Sequence, residues 1–309
     1  MIALYIILGI LFVSVIPHFL VVYIIFCNFF GRYSKEQIDA RLYKDVNEYT
    51  PFLEEMMSVR KELEAKCEKV STTSHDGLKL AGYYFNNNSD TTMIMFHGVH
   101  TNAFNNFGVI TKNILEHGYN ALIVDQRAHG ESEGKYLTYG QKEQLDVLSW
   151  IDYVDKNIDC ETIFLYGISM GGTSVALSSN QITNKKVKGM VIDSAYSSLN
   201  DLLDYLTNAK HIPSFLFLGG VKWLSKVIIK IKFEECEVST HISNTTIPAF
   251  FVRGTKDTVV SEELLMNNYI NCASRKELLS IEGATHTLAM VVGKEEAFNK
   301  MYAFLERNI

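Results

Sequence analysis

Ser169 lies in the stretch FLYGISMGGTSVAL, where Gly167, Gly171 and Gly172 surround a single hydroxyl group. Glycine tolerates backbone conformations and close approaches that other residues cannot reach. The apolar run TIFLYG before the serine predicts a strand, and MGGTSVALSS after it predicts a helix. A Gly-x-Ser-x-Gly sequence in that context is typical of a nucleophile at a sharp turn, where the free N–H groups of a helix N-terminus favour negative charge. The alternative interpretation is an ordinary glycine-rich turn.

A carboxylate and an imidazole follow two later apolar runs. A serine nucleophile needs a base to accept its proton and an acid to orient that base. Asp257 comes shortly after the run IPAFFVRG, and His286 comes shortly after ELLSIEG. We therefore expect Asp257 to orient His286 and His286 to activate Ser169. Asp193, at the end of the run VKGMVID, is the alternative acid.

Short apolar runs alternate with helical stretches from about residue 69 onward. Asp76 and Gly77 separate two β-prone runs and predict a hairpin. The later strands are predicted at TMIMF (92–96), NALIVD (120–125), TIFLYG (162–167), VKGMVID (187–193), IPAFFVRG (247–254) and KELLSIEG (276–283). Continuous apolar strands with helices between them favour an α/β fold with a mostly parallel central sheet and helices on both faces.

Five motifs in this order resemble those of the α/β-hydrolase superfamily, in its esterase and serine-peptidase branch. They are FHGVHTN, DQRAHGES, GISMGG, RGTKDTVV and GATHT, and the resemblance covers about residues 69–309. It implies an α/β-hydrolase fold, with Ser169 as nucleophile, Asp257 as acid and His286 as base. It also implies an oxyanion hole formed by the backbone N–H groups of Val99 and Met170.

Other polar residues near these motifs have simpler interpretations. We expect His97 to pack or hydrogen-bond beside the oxyanion turn, and His100 to line the entrance of the pocket. The resemblance implies a structural role for His129. Asp125 is expected to fix its turn together with Arg127. The spacing of histidines, cysteines and carboxylates suggests no metal site, and the mechanism requires no cofactor.

The overall composition narrows the functional classes. A net charge of −6 argues against a nucleic-acid partner, which would require a basic surface. The hydrophobic content of 47% indicates a globular protein with a sizeable core. The five cysteines lack CxxC pairs, which argues against a disulfide framework.

The N-terminus predicts a membrane anchor. Residues 2–26 contain no Asp, Glu, Lys or Arg, and their number exceeds the roughly 20 residues that span a bilayer as a helix. We therefore expect a transmembrane anchor over 1–30, a lipid bilayer as its partner and a single-pass membrane protein. Basic residues after this segment favour a cytoplasmic catalytic domain. Residues 31–68 are expected to form a linker of two helices.

The last predicted feature is a helical cap at about residues 197–244. The connection between Asp193 and the strand at 247–254 is far longer than a simple strand–helix connection requires. Within it, the segment 215–233 carries Lys222, Lys226 and Lys230 four residues apart, on one face of a predicted helix. This helix is interpreted either as a cap helix with solvated lysines or as a membrane-facing basic helix.

Together these features predict a serine hydrolase that cleaves an ester, thioester or amide through an acyl-Ser169 intermediate. The apolar cap favours a small-molecule or acyl-lipid substrate. The alternatives are an acyltransferase that uses the same intermediate, a serine peptidase, and a non-enzymatic binding module. A filled triad disfavours the last of these.

Overall fold

The computed structural model describes residues 15–43, 49–209 and 213–309, together with Met1 and Phe12. The strands are β1 Glu68–Thr73, β2 Lys79–Phe85, β3 Thr91–Phe96, β4 Asn120–Val124, β5 Thr162–Ile168, β6 Val187–Asp193, β7 Ala249–Gly254 and β8 Lys276–Ile281. The α-helices are α1 Ile16–Phe30, α2 Lys35–Tyr43, α3 Leu53–Glu64, α4 Ala103–Glu116, α5 Glu143–Asn157, α6 Met170–Ser178, α7 Leu199–Ala209, α8 Ser214–Leu224, α9 Ser239–Ile242, α10 Glu262–Asn271 and α11 Ala289–Glu306. Short 3-10 turns lie at Thr50–Phe52 and Phe233–Glu235, and a π-helical turn at Ser225–Ile229 follows α8.

The strands form one eight-stranded sheet in the order β1-β2-β4-β3-β5-β6-β7-β8. The β1–β2 and β2–β4 pairs are antiparallel, and the remaining pairs are parallel. The predicted hairpin joins β1 to β2, and Gly77 in its turn has φ +88°, which favours glycine. Strands β3, β4 and β5 are buried on both faces, which explains their continuous apolar sequences.

Two hydrophobic cores lie on opposite faces of the sheet. Along β5, Ile163 and Leu165 belong to one core, whereas Phe164 and Tyr166 belong to the other, as the twofold alternation of a strand requires. Side chains of α5 and α6 complete the first core, and side chains of α4 and α11 complete the second. The predicted α/β-hydrolase fold, with helices on both faces, is confirmed.

The predicted membrane anchor over residues 1–30 is wrong. Residues 2–11 and 13–14 of the expected span lie outside the described residues. The helix that follows them, α1, has 15 residues, fewer than the roughly 20 that a bilayer requires. Among the described residues no helix has both the length and the apolar character to cross a membrane. Three further predictions depended on that span and are not supported: the bilayer partner, the single-pass localisation and the cytoplasmic orientation.

Helix α1 instead packs one face against the rest of the chain. Val22, Phe26 and Phe30 are spaced four residues apart, so they share one face of the helix, and all three are buried. The Phe30 ring meets the Tyr139 ring edge-on with centroids 5.3 Å apart. A Cβ on Gly220 of α8 would lie 2.7 Å from Val22 Cγ1, so glycine permits the close contact of α1 and α8. Protein atoms therefore cover this face of α1, whereas Phe19, Leu20 and Ile24 are exposed.

The region predicted as a linker also contacts the core. Val59 and Leu63 of α3 belong to the same hydrophobic cluster as Phe107 of α4. Arg60 donates a hydrogen bond of 2.8 Å to Asn105 Oδ1. Helices α2 and α3 thus lie against the sheet domain rather than apart from it.

The segment 215–233 does not form one continuous amphipathic helix. Helix α8 ends at Leu224, and the π-helical turn that follows it ends at Lys230, whose φ of +57° is left-handed. Lys222 and Lys230 therefore do not share a face of a regular helix, because the helical register breaks between them.

Candidate active site

Ser169 lies at the tip of the turn between β5 and α6. Its φ of 53° and ψ of −118° are strained for a residue with a side chain. A Cβ on Gly171 would lie 1.9 Å from the Phe96 carbonyl oxygen, and one on Gly167 would lie 2.3 Å from the Gly171 carbonyl oxygen. Both positions therefore require glycine because backbone atoms occupy the space. A side chain at either position would collide with these backbone atoms, which explains why glycine flanks Ser169 in this motif.

The side chains of Ser169, Asp257 and His286 form one hydrogen-bonded chain. His286 Nε2 lies 3.0 Å from Ser169 Oγ, and His286 Nδ1 lies 2.7 Å from Asp257 Oδ2. Because an ionised carboxylate only accepts hydrogen bonds, Nδ1 donates to Asp257 and Nε2 is left to accept from the serine hydroxyl. Asp257 Oδ1 accepts from the backbone N–H groups of Val259 and Val260, at 2.8 and 2.9 Å. These bonds orient the Asp257 carboxylate so that its other oxygen meets His286 Nδ1.

Asp193 is fully buried near the same site but has other partners. Tyr166 Oη donates to its carboxylate at 3.0 Å, and Ser194 Oγ donates at 2.9 Å. Burial raises the pKa of Asp193 to about 6. Its backbone carbonyl accepts from the N–H of Ser169 at 2.8 Å. Asp193 therefore supports the turn through its main chain, whereas Asp257 is the carboxylate that accepts the hydrogen bond from His286.

The predicted oxyanion donors lie on two loops that meet at Ser169. Met170 is the first residue of α6, where N–H groups have no partner within the helix. A Cβ on Gly98 would lie 3.3 Å from Ser169 Cβ, so the loop after β3, which carries Val99, passes close to the serine. Asn106 Oδ1 accepts from the Gly98 N–H at 2.8 Å and fixes that loop. Sequence reasoning missed Asn106, because nothing in the sequence distinguishes it from the other asparagines at the start of α4.

Two buried histidines hold the loops behind this site. His97 Nε2 accepts from the backbone N–H of Gln126 at 3.1 Å, and His129 Nε2 accepts from that of His100 at 3.0 Å. Both interactions require neutral imidazoles, and burial lowers the pKa of each, that of His97 well below its usual range. The structural interpretations of His97 and His129 agree with these contacts.

Asp125 and Arg127, which were expected to fix their turn together, have different side-chain partners. Arg127 donates to Asp146 at 2.6 Å and forms a second ion pair with Asp76 at 3.0 Å. Asp125 instead accepts from Tyr83 Oη, at 2.9 Å, and from two backbone N–H groups. Asp125 thus fixes the turn through the Glu131 N–H, whereas Arg127 binds carboxylates outside the turn.

The buried histidines predict a loss of stability on acidification. His129 has a lower pKa when folded than the roughly 6.5 of an unfolded chain, and so does His97. The unfolded state therefore binds more protons, and the stability present above about pH 6.5 declines as the pH falls. Below about pH 6, Asp193 and Asp146 oppose this trend, because burial raises the pKa of each to about 6.

Urea unfolding between pH 8 and 6 measures this effect. On unfolding, the His129→Gln variant should bind up to about one proton fewer than the unmodified protein. Its free energy of unfolding should therefore depend less steeply on pH. His75 is exposed, so His75→Gln is the matched control and should keep the slope of the unmodified protein. An unchanged slope in the His129 variant would contradict the assignment.

A cavity of about 710 Å³ opens beside Ser169 and His286. The loop after β3 and the start of α4 give it a polar wall that includes His100, as predicted, and Asn106. The segment after β6 and the loop after β7 give it an apolar wall, with Leu202, Leu206, Val259 and Val260. Residues from the N-terminal region, Asn28, Phe29, Tyr33, Ile38 and Tyr49, also line it. No local pattern in the sequence predicts this contribution of the N-terminal region to the cavity.

The geometry suits acyl transfer through a serine. A serine hydroxyl, an imidazole and a carboxylate are joined by hydrogen bonds in the order that such chemistry requires. Within residues 15–43, 49–209 and 213–309, no group of three or more His, Cys, Asp or Glu side chains is arranged to hold a metal ion.

Comparisons with known proteins also point to a hydrolase. Residues 87–238 match the family described as serine aminopeptidase, S33. The esterase Pf2001 of Pyrococcus furiosus is 26% identical with a TM-score of 0.66, over 80% of this chain and 94% of that chain. The uncharacterised protein YqkD of Bacillus subtilis (strain 168) is 23% identical over 233 residues, 74% of this chain and 76% of that protein. Est1E of Butyrivibrio proteoclasticus, solved with ferulic acid, is 20% identical with a TM-score of 0.57 and shares the fold.

The chain has the α/β-hydrolase fold, and the family match and the Pyrococcus furiosus esterase support a place in the α/β-hydrolase superfamily. The family match and the esterase neighbours together support a hydrolase of the ester type.

Proposed function

We propose that this protein is a serine hydrolase that cleaves an ester with an apolar acyl group through an acyl-Ser169 intermediate. One observation carries the proposal: His286 Nε2 lies 3.0 Å from Ser169 Oγ while Nδ1 lies 2.7 Å from Asp257. These distances fall within the hydrogen-bond range that a general base requires.

In the proposed first half-reaction, His286 Nε2 takes the hydroxyl proton as Ser169 Oγ attacks the ester carbonyl carbon. The carbonyl oxygen becomes an oxyanion, which the N–H groups of Val99 and Met170 stabilise. The imidazolium, oriented by Asp257, then gives its proton to the leaving alkoxide oxygen as the C–O bond breaks. Each oxyanion donor is worth about 3 kcal/mol in comparable enzymes.

In the second half-reaction, His286 removes a proton from water, and the resulting hydroxide attacks the acyl carbon. Collapse of this intermediate breaks the bond to Ser169 Oγ, which regains its proton from the imidazolium. The products are a carboxylic acid and the free enzyme. Asp257 keeps its negative charge throughout, because its role is to orient and stabilise the imidazole.

We also propose that the segment at about residues 197–244 covers the site as a cap on the sheet domain. Leu202 and Leu206 of α7 support this role because both line the cavity beside Ser169.

Fluorophosphonate labelling and a matched substrate panel test the proposed function. The protein should acquire one covalent label at Ser169, identified by mass spectrometry, and should hydrolyse p-nitrophenyl esters with release of the free acid. The corresponding thioester and anilide, with the same acyl group, define the bond that is cleaved. Faster turnover of the anilide than of the ester would contradict the ester assignment. Transfer of the acyl group to an added alcohol in preference to water would indicate an acyltransferase instead.

A further inference from the structure

Residues 28–38 comprise the last turn of helix α1, the connection after it and the start of α2, and we call them the N-terminal strap. Bonds tie this strap to the loop before α5. The backbone N–H of Leu137 donates to the Phe30 carbonyl at 2.9 Å, and that of Arg32 donates to the Lys135 carbonyl at 3.0 Å. The Arg32 guanidinium also donates to the Ser132 carbonyl at 2.6 Å. Backbone and side-chain bonds thus hold the strap in a defined position on the domain.

The strap also contacts the loop that carries the proposed oxyanion donor. The Tyr33 ring stacks on the His100 ring, with centroids 3.7 Å apart and planes 10° from parallel. His100 follows Val99 directly, and its backbone N–H is held by His129. Through Tyr33, the strap therefore packs directly against the polar wall of the cavity.

Phe29 of the strap lines the cavity. Its carbonyl accepts from Tyr139 Oη at 3.1 Å, and the Tyr139 carbonyl in turn accepts from Tyr196 Oη at 3.0 Å. Both phenol groups are thereby engaged with backbone carbonyls, which leaves aromatic carbon to line the cavity. Leu202 and Leu206 line the same cavity.

The sheet order separates this apolar side from the polar one. Strand β3, whose following loop carries His100, lies on one side of β5, and strands β6 and β7 lie on the other. Ser169 follows β5 and therefore stands between the two walls. An ester bound at Ser169 has room for an apolar chain toward the β6 and β7 side, where its methylene groups leave water.

We propose that Phe29 of the N-terminal strap, which lines the same cavity as Leu202 and Leu206, forms part of the wall of an acyl-chain subsite and limits the chain length that the enzyme accepts. This inference rests on the proposed function, since it requires an acyl ester at Ser169. The family match begins at residue 87, so it assigns no role to the strap.

Two opposite substitutions of Phe29 test the subsite with a constant leaving group. The measured quantity is the ratio of kcat/KM for p-nitrophenyl decanoate to that for p-nitrophenyl butyrate. Phe29→Trp fills the subsite and should lower the ratio by about tenfold or more, and Phe29→Ala should raise it. Leu206 lines the same cavity, so Leu206→Trp should shift the ratio in the same direction as Phe29→Trp.

Two controls separate the subsite from general effects. Phe19 is on the same helix as Phe29 but half exposed against Trp223, so Phe19→Ala should leave the ratio unchanged. Asp204 is an exposed residue of α7, so Asp204→Trp adds the same indole as Leu206→Trp outside the cavity and should also leave it unchanged.

The inference and the proposed function fail in different ways. Absence of fluorophosphonate labelling at Ser169 in the unmodified protein would overturn the proposed function. If every variant is labelled at Ser169 but no Phe29 or Leu206 substitution moves the ratio, the acyl subsite is wrong while the hydrolase stands. A response to alcohol length in a series of butyrate esters, without a response to acyl length, would also overturn the subsite.

Discussion

Alanine in place of Ser169 is expected to abolish covalent labelling by fluorophosphonates and to reduce kcat by about a millionfold, the loss seen on removing a serine nucleophile. The hydroxyl oxygen that bonds His286 at 3.0 Å is the only group removed. The variant should unfold at nearly the same temperature, since alanine meets the same backbone strain at φ 53° that serine does. Labelling stoichiometry, initial rates and thermal unfolding measure these three effects.

Two outcomes would contradict the serine mechanism. Labelling that persists in the Ser169→Ala protein would place the nucleophile elsewhere. Activity of the unmodified protein that disappears with EDTA and returns with zinc would indicate metal-bound water as the nucleophile. A metal-dependent hydrolase would also retain more of its turnover when Ser169 is replaced.

The second largest effect is expected from Asp257→Asn, which should lower kcat by about 10⁴-fold, as in enzymes whose triad acid becomes an amide. The asparagine amide group can donate a hydrogen bond to the imidazole, which then adopts the tautomer that cannot accept the serine proton. The bonds from the N–H groups of Val259 and Val260 can persist to the amide oxygen, so the loop should keep its position.

Asp193→Asn is the matched control for the acid. The Asp193 carboxylate is bonded to Tyr166 and Ser194 rather than to His286, so its conversion to an amide should have a much smaller effect on kcat. Rates are compared at a temperature where thermal unfolding shows both variants to be folded. If Asp193→Asn removed activity and Asp257→Asn did not, the orienting acid would be Asp193.

The sequence predicted the fold because the relevant signals are local. The apolar runs that became β3 to β7 are suited to burial on both faces of the sheet. Gly167 is required by the Gly171 carbonyl four residues away, although Gly171 is required by the Phe96 carbonyl at the end of β3. The same local order led to Ser169, Asp257 and His286 as a set. The structure puts their side chains within hydrogen-bond distance, and their catalytic roles remain predictions for the experiments above.

Contacts between distant segments could not be predicted in this way. Arg127 has Asp125 as a near neighbour in sequence, yet it pairs with Asp146 and Asp76, because packing of α5 and the β1–β2 hairpin brings those carboxylates to it. Asn106 fixes Gly98 for a similar reason, since only the folded loop brings its amide oxygen to that N–H group.

The sequence by itself determined the strands of the sheet, the glycine-flanked turn at Ser169 and the order of the three site residues. These features depend on the burial pattern and on steric contacts of the backbone. Only the tertiary structure decided the role of the N-terminal helix. An uncharged apolar run satisfies a bilayer and a protein surface equally well, because both remove it from water. Here Val22, Phe26 and Phe30 are buried against the chain, and the residues that follow them reach the cavity beside Ser169.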